Sequence, residues 1–117
     1  MKTIIAGSRG VTDYAVVCAA IEAGQRQWYK PITEVLSGTA RGVDQLGERW
    51  AEENKVPCQK FSAEWDAYGK SAGYRRNLQM LEVAQAVIAC WDGFSRGTRH
   101  LIDEAHLRGL PVFVYRV

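Results

Sequence analysis

Apolar positions along the chain follow two rhythms. Apolar runs of strand length at Thr3 to Ala6, Glu34 to Leu36, Cys58 to Phe61, Ala86 to Trp91 and Val112 to Tyr115 are mostly β-branched or aromatic and bounded by Gly, Pro or Ser. Runs of that length predict five short strands. Between them apolar residues recur at three and four: Val16, Val17, Ala20 and Ile21 form one stripe, and Val43, Leu46, Gly47, Trp50, Ala51 and Asn54 another. Each stripe is one buried helix face. Thr12 and Asp13 offer capping oxygens to the first helix, and Pro57 lies just beyond the second. A third helix is expected over roughly Tyr74 to Val83 and a fourth over about Thr98 to Arg108, where Arg99 and Asp103, then Glu104 and Arg108, are spaced four apart on the wet side. Gly109 and Pro111 stop it.

Alternating strands and helices, with strands that are nearly continuous in apolar residues, imply a parallel sheet covered on both faces through right-handed crossovers. The expected fold is an α/β three-layer sandwich with a five-stranded parallel sheet. At 117 residues, 47% of them hydrophobic, the chain suits one domain over 1–117, since a second would leave two fragments too small to be stable. The connection Ser62 to Gly73 is long for so small a domain and carries Trp65 and Tyr68, which marks it as a functional candidate.

Charge narrows the picture. Fifteen basic and 13 acidic residues leave a formal charge of +2, so no global field drives the chain toward nucleic acid or membranes, and any anion site must be local. The three cysteines, Cys18, Cys58 and Cys90, are widely spaced in apolar contexts without a metal-binding pattern, as expected of buried thiols in a reducing cytoplasm. The apolar run after Met1 is too short for a signal sequence or a membrane span.

In such a sheet, ligands bind beyond the carboxyl ends of the strands. The four strand-to-helix connections are GSRG (Gly7 to Gly10), SGTARGVD from Ser37, the Trp65 segment followed by GYRRN, and WDGFSRGT (Trp91 to Thr98). All are rich in Gly, Ser or Arg, whereas the opposite connections, KPIT and NKVP, hold no such cluster. Glycines let backbone N–H groups approach a phosphate, helix N-termini add partial positive charge, and Arg grips two oxygens at once. Candidate ligand-binding residues are therefore Gly7, Ser8, Arg9, Ser37, Gly38, Arg41, Gly42, Trp65, Arg75, Asn77, Asp92, Ser95, Arg96, Gly97 and Thr98. Taken singly, each loop reads equally as a tight turn and each Arg as a solvated residue. Their concentration on one face is what favours a site. No GxxxxGK[ST] or GxGxxG occurs, which argues against ATP hydrolysis and dinucleotide redox chemistry. His100 and His106 lie six apart on one helix, on different faces, and make no catalytic pair with Ser8 or Ser95. No metal or cofactor is expected.

GSR after the first strand, SGTARGVD after the second, the RN pair in GYRRN and SRGT at the last helix together resemble the SLOG superfamily of Rossmann-like domains, and within it the cpYpsA-related, YspA-like family of bacteria and phages. The resemblance covers nearly the whole chain. Two better understood relatives imply different functions. LOG-type phosphoribohydrolases cleave the N-glycosidic bond of nucleoside monophosphates; Arg76 and Met80 fit their Arg-Lys-x-x-Met spacing, and Gly97 and Thr98 match the GT of PGGxGTxxE. Their catalytic Glu falls on Leu101 here, so a carboxylate stabilising an oxocarbenium-like centre must come from elsewhere, with Asp44 and Asp92 as candidates. On this reading the catalytic residues are Arg76 and Asp44. A position near a helix N-terminus favours ionised Asp44, as a ribose acceptor or electrostatic stabiliser, with a capping role for the second helix equally open.

The Rossmann domain of the DNA-processing protein of transformation shares Gly7-Ser8-Arg9, Ser37-Gly38, Ala40-Arg41-Gly42, Asp44 and Arg76-Asn77, and binds single-stranded DNA. Trp65 and Tyr68 would then stack on bases. The leading expectation is a nucleotide or nucleotide-derived small molecule bound at the C-terminal edge of the sheet, with N-glycosidic hydrolysis as its catalytic form. The phosphate is expected on Ser95 to Thr98 with Arg76 or Arg9, the ribose at Asp44, and the base at Trp65 or Tyr68. A single-stranded nucleic-acid-binding module and a non-catalytic sensor or interaction subunit are the alternatives, and the resemblance also implies a homo-oligomer.

Overall fold

A computed structural model describes residues 1–117. In chain order the elements are β1 (Lys2–Gly7), α1 (Tyr14–Trp28), β2 (Glu34–Ser37), α2 (Val43–Glu53), β3 (Cys58–Lys60), α3 (Trp65–Tyr68), a 3₁₀ turn (Gly69–Ser71), α4 (Ala72–Val83), β4 (Ala86–Trp91), α5 (Arg96–Leu107) and β5 (Val112–Arg116). The strands form one parallel sheet in the order β3-β2-β1-β4-β5. The chain steps outward from β1 to β3, then crosses to the other side of β1 for β4 and β5. The crevice beyond the carboxyl ends of β1 and β4 is the switch point where such sheets bind ligands.

Successive strand residues point to opposite faces, and this divides the core in two. Ile4, Leu36, Val87 and Ala89 pack under Met80 and Leu81 of α4 and Leu101, Ile102 and Ala105 of α5. Ile5, Val35, Ile88 and Cys90 pack on the other face, under Val17, Ala20 and Ile21 of α1 and Val43 and Ala51 of α2. The result is the three-layer Rossmann-like α/β sandwich. Gly47 sits where a Cβ would come within 2.8 Å of Ile5, so its lack of a side chain lets α2 lie close on the sheet. Asp13 caps α1, its Oδ1 accepting the Ala15 N–H at 3.0 Å.

Two local expectations change. The segment Ser62 to Gly73 is not a plain loop: it holds the short helix α3 and the 3₁₀ turn, and α4 starts at Ala72, two residues before the expected Tyr74. Neither α3 nor the turn buries a residue, which is why no apolar period announced them. No helix is long and apolar enough to cross a membrane.

Candidate functional site

The loops after β1 and β4 are stitched together at the centre of the edge. Ser8 donates its N–H to the Cys90 carbonyl at 3.0 Å, and its buried hydroxyl accepts the Asp92 N–H, also at 3.0 Å. Asp92 Oδ1 in turn accepts the N–H groups of Phe94 and Ser95 at 2.8 and 2.9 Å, and Trp91 Nε1 donates to the Ser95 carbonyl at 3.0 Å. The loop after β2 presses onto the first. Gly42, at φ +83°, sits where a Cβ would come within 2.6 Å of the Ser8 and Arg9 carbonyl oxygens, so both its dihedral and its surroundings require glycine. Ser37 is fully buried; its hydroxyl donates to Glu48 Oε2 at 2.6 Å and accepts the Thr39 N–H at 3.1 Å.

Above these loops lie two adjoining chambers. The first, about 260 Å³, has Arg9, Asp44, Arg76 and Asn77 around it, Ser95, Gly97 and Thr98 along one wall, and Ala6, Met80 and Leu101 as an apolar floor. The second, about 480 Å³, lies between Gly38, Thr39, Arg41, Ser62 and Trp65. Arg9, Ala40 and Arg76 line both, so two guanidinium groups stand where the chambers meet. The wall from α5 is its N-terminus, and Ser95 makes no capping bond there. Its hydroxyl lies 3.1 Å from that of Thr98 instead, leaving the first-turn N–H groups of α5 without a side-chain partner and their partial positive charge available to an anion.

Arg76 is held on two sides. Its Nη1 donates to the Gly38 carbonyl, and its Nε donates to Asn77 Oδ1 at 3.1 Å. Gly38 makes this possible, because a Cβ there would stand 2.8 Å from Asp44 Oδ2 and 2.9 Å from Arg76 Nη1. Burial pulls the Arg76 guanidinium below its ordinary pKa, opposed by the negative charge of Asp44.

Asp44 departs from the expectation built on the helix N-terminus. It is only 5% exposed, and burial pushes its carboxyl up to about 6 against the pull of Arg76, the Ala40 N–H and Arg9. Desolvation of the charged form outweighs the helix end. Nor does it cap α2: Oδ2 accepts the N–H of Ala40, in the preceding loop, at 3.2 Å. Asp92 is also reassigned as a loop organiser. Its carboxylate is engaged by the Phe94 and Ser95 N–H groups, which hold it below the usual carboxylate range, and it lines neither chamber.

The other candidates sort by position. Gly7 lines the first chamber, but a Cβ there would lie 2.1 Å from the Cys90 carbonyl oxygen, so its smallness serves packing. Ser8, Ser37 and Gly42 stand behind the walls. Arg75 turns away, donating to Ser71 Oγ at 3.1 Å and lying 4.3 Å over the Tyr68 ring; Arg75 and Tyr68 both fall outside the two chambers, beside a separate shallow recess. Arg96 is exposed and lines neither chamber. Glu48 escaped the sequence reading; a carboxylate four residues after Asp44 on the same helix stripe was its only signal. It is the partner of Ser37 and lies 3.7 Å from Lys60.

A match to the family described as "YAcAr: YspA, cpYpsA-related SLOG family" covers residues 1–68. Gene 61 protein of Mycobacterium phage D29 is 35% identical over 118 residues, covering 95% of this chain and 93% of that protein. Among solved structures, DNA processing protein A (DprA) from Streptococcus pneumoniae superposes with a TM-score of 0.75 at 17% identity. That likeness covers 97% of this chain and 49% of the pneumococcal one, so the chain spans about half its length. At that identity the likeness concerns the fold.

Proposed function

The chain belongs to the YspA, cpYpsA-related SLOG family, and from that premise we propose that it binds a nucleotide or nucleotide-derived small molecule in the cleft beyond β1 and β4. One observation carries the reading. Arg9 and Arg76 stand between two unlike chambers, one with the uncapped start of α5 and a buried carboxylate, the other with an aromatic ring. A phosphate fits the N-terminus of α5 beside the guanidinium groups, where N–H donors and positive charge converge. A sugar hydroxyl then falls to Asp44 and a base to Trp65, which is half exposed. The second chamber alone, at about 480 Å³, lies within the span of small-molecule sites, on the order of 300–1,000 Å³.

Asp44 is the one carboxylate lining the first chamber, so the hydrolytic form of this proposal rests on it. The test is isothermal calorimetry against nucleoside mono-, di- and cyclic phosphates, with chromatography of the same mixtures for released base. Saturable binding that Arg76→Ala weakens at least tenfold supports the reading; a flat titration across the panel refutes it. Base release abolished by Asp44→Asn establishes turnover, and binding without release leaves a sensor.

A second reading, a short single-stranded nucleic acid, draws on the exposed ring of Trp65 beside the guanidinium groups of the cleft, and on a fold shared with a protein named for DNA processing. It predicts oligonucleotide affinity that falls steeply with salt. A gel shift absent at low salt refutes it.

A further inference from the structure

Arg76 does not reach the cleft as a free side chain. Its Nε–H is accepted by Asn77 Oδ1 at 3.1 Å, while Asn77 Nδ2 donates to the Gly97 carbonyl at 3.1 Å and lies 3.2 Å from His100 Nδ1. Asn77 is 4% exposed. Its orientation is set from both ends, because Arg Nε can only donate and a carbonyl can only accept. That leaves His100 Nδ1 as an acceptor, with the ring against Tyr74 at a centroid distance of 4.4 Å. With Nη1 tied to the Gly38 carbonyl, two edges of the guanidinium are fixed by the protein, and Nη2 has no hydrogen-bond partner.

We propose that Asn77 is a positioning residue that joins the Arg76 guanidinium to the first turn of α5, so that the cation and the helix N-terminus present one preformed surface to an anion. The functional consequence rests on the nucleotide reading above; the brace itself does not. Anchoring both groups through one buried amide removes the ordering cost each would otherwise carry on binding. The larger part of its effect on a bound anion then passes through Arg76.

Two measurements test this. In the ligand-free protein, ¹⁵N relaxation of the Arg76 Nε–H group should report a rigid side chain in the wild type, with an order parameter near ~0.8, falling below ~0.6 in Asn77→Ala. A mobile Arg76 in the wild type overturns the brace even if no variant folds, and equal rigidity in wild type and Asn77→Ala overturns it too. The second measurement is a double-mutant cycle by calorimetry with adenosine 5′-monophosphate as probe. Asn77→Ala should weaken binding about tenfold in the wild-type background and less than twofold in Arg76→Ala, whereas a merely structural loss would add in both. Additive losses overturn the proposal. A wild type that binds no nucleotide refutes the functional reading separately, and the relaxation result still decides the brace.

Discussion

Replacing Asp44 by Asn removes a charge from a buried position and changes little else in shape. In the folded chain burial pushes this carboxyl up to about 6, whereas its ordinary value is 3.8. The native state therefore holds the proton more tightly than the unfolded chain does, and stability falls as pH rises from about 4 to about 6. Above that window the ionised group carries its full penalty. At 1.36 kcal/mol per pH unit of separation the penalty is on the order of 3 kcal/mol at pH 8. Asn escapes it but must place an NH₂ beside Arg76, so a net gain of roughly 1–2 kcal/mol is expected. That corresponds to a rise of about 4–8 °C in Tm for a domain of this size. At pH 5, near the middle of that window, about half of the penalty is gone, and with the cost of the NH₂ group set against the rest the gain should shrink toward zero. Scanning calorimetry of both proteins at pH 5 and pH 8 measures the difference, and the lowered pKa of Asp92, common to both, cancels. An Asp44→Asn protein that is less stable at pH 8, or whose advantage is the same at both pH values, would refute the reasoning.

Three other substitutions or probes separate site from scaffold. Gly38→Ala puts a Cβ 2.9 Å from Arg76 Nη1 and 2.8 Å from Asp44 Oδ2; both side chains are held in place by hydrogen bonds, so urea titration should show a loss of ~1–3 kcal/mol while adenosine 5′-monophosphate binding falls at least tenfold by calorimetry. Gly7→Ala meets the Cys90 carbonyl oxygen at 2.1 Å and Val43 Cγ2 at 2.8 Å, where backbone cannot yield, and urea titration should show a loss of at least ~3 kcal/mol. Burial pushes the Cys90 thiol up to about 12, so iodoacetamide at pH 8 should leave it unmodified in the native protein and label it only in urea, as counted by peptide mass spectrometry.

The sheet was legible because buried parallel strands are written as unbroken apolar runs, and β1, β2, β4 and β5 fall within about a residue of the runs that announced them. Strand β3 was shorter than its run: Gln59 and Lys60 are exposed at the sheet edge, and Phe61 already belongs to the connection. Helix α3 was invisible for the opposite reason, having no buried face to leave a period. At the site, the meeting of Arg9, Asp44, Arg76 and the α5 start follows from the rule that loops after parallel strands gather at one edge. What the sequence could not convey is which side chains face the cleft and which support it. Ser8 and Ser37 have the composition of ligand contacts, yet their hydroxyls are engaged by Asp92 and Glu48. The upward shift of the Asp44 carboxyl was not legible because a helix end is a local property, whereas desolvation depends on residues from several elements.

The cleft has one wall built and one unfinished. The loops after β1 and β4 are cross-linked by the Ser8, Asp92 and Trp91 hydrogen bonds, whereas the Trp65 wall contributes no buried residue at all. Local opening is least costly where few contacts are buried. A ligand would thus meet its anion-binding wall ready-made, so encounter should be quick and governed by charge. Its residence time would then be set by how firmly the aromatic wall settles over it, placing control of dissociation in α3 rather than in the motifs that define the family.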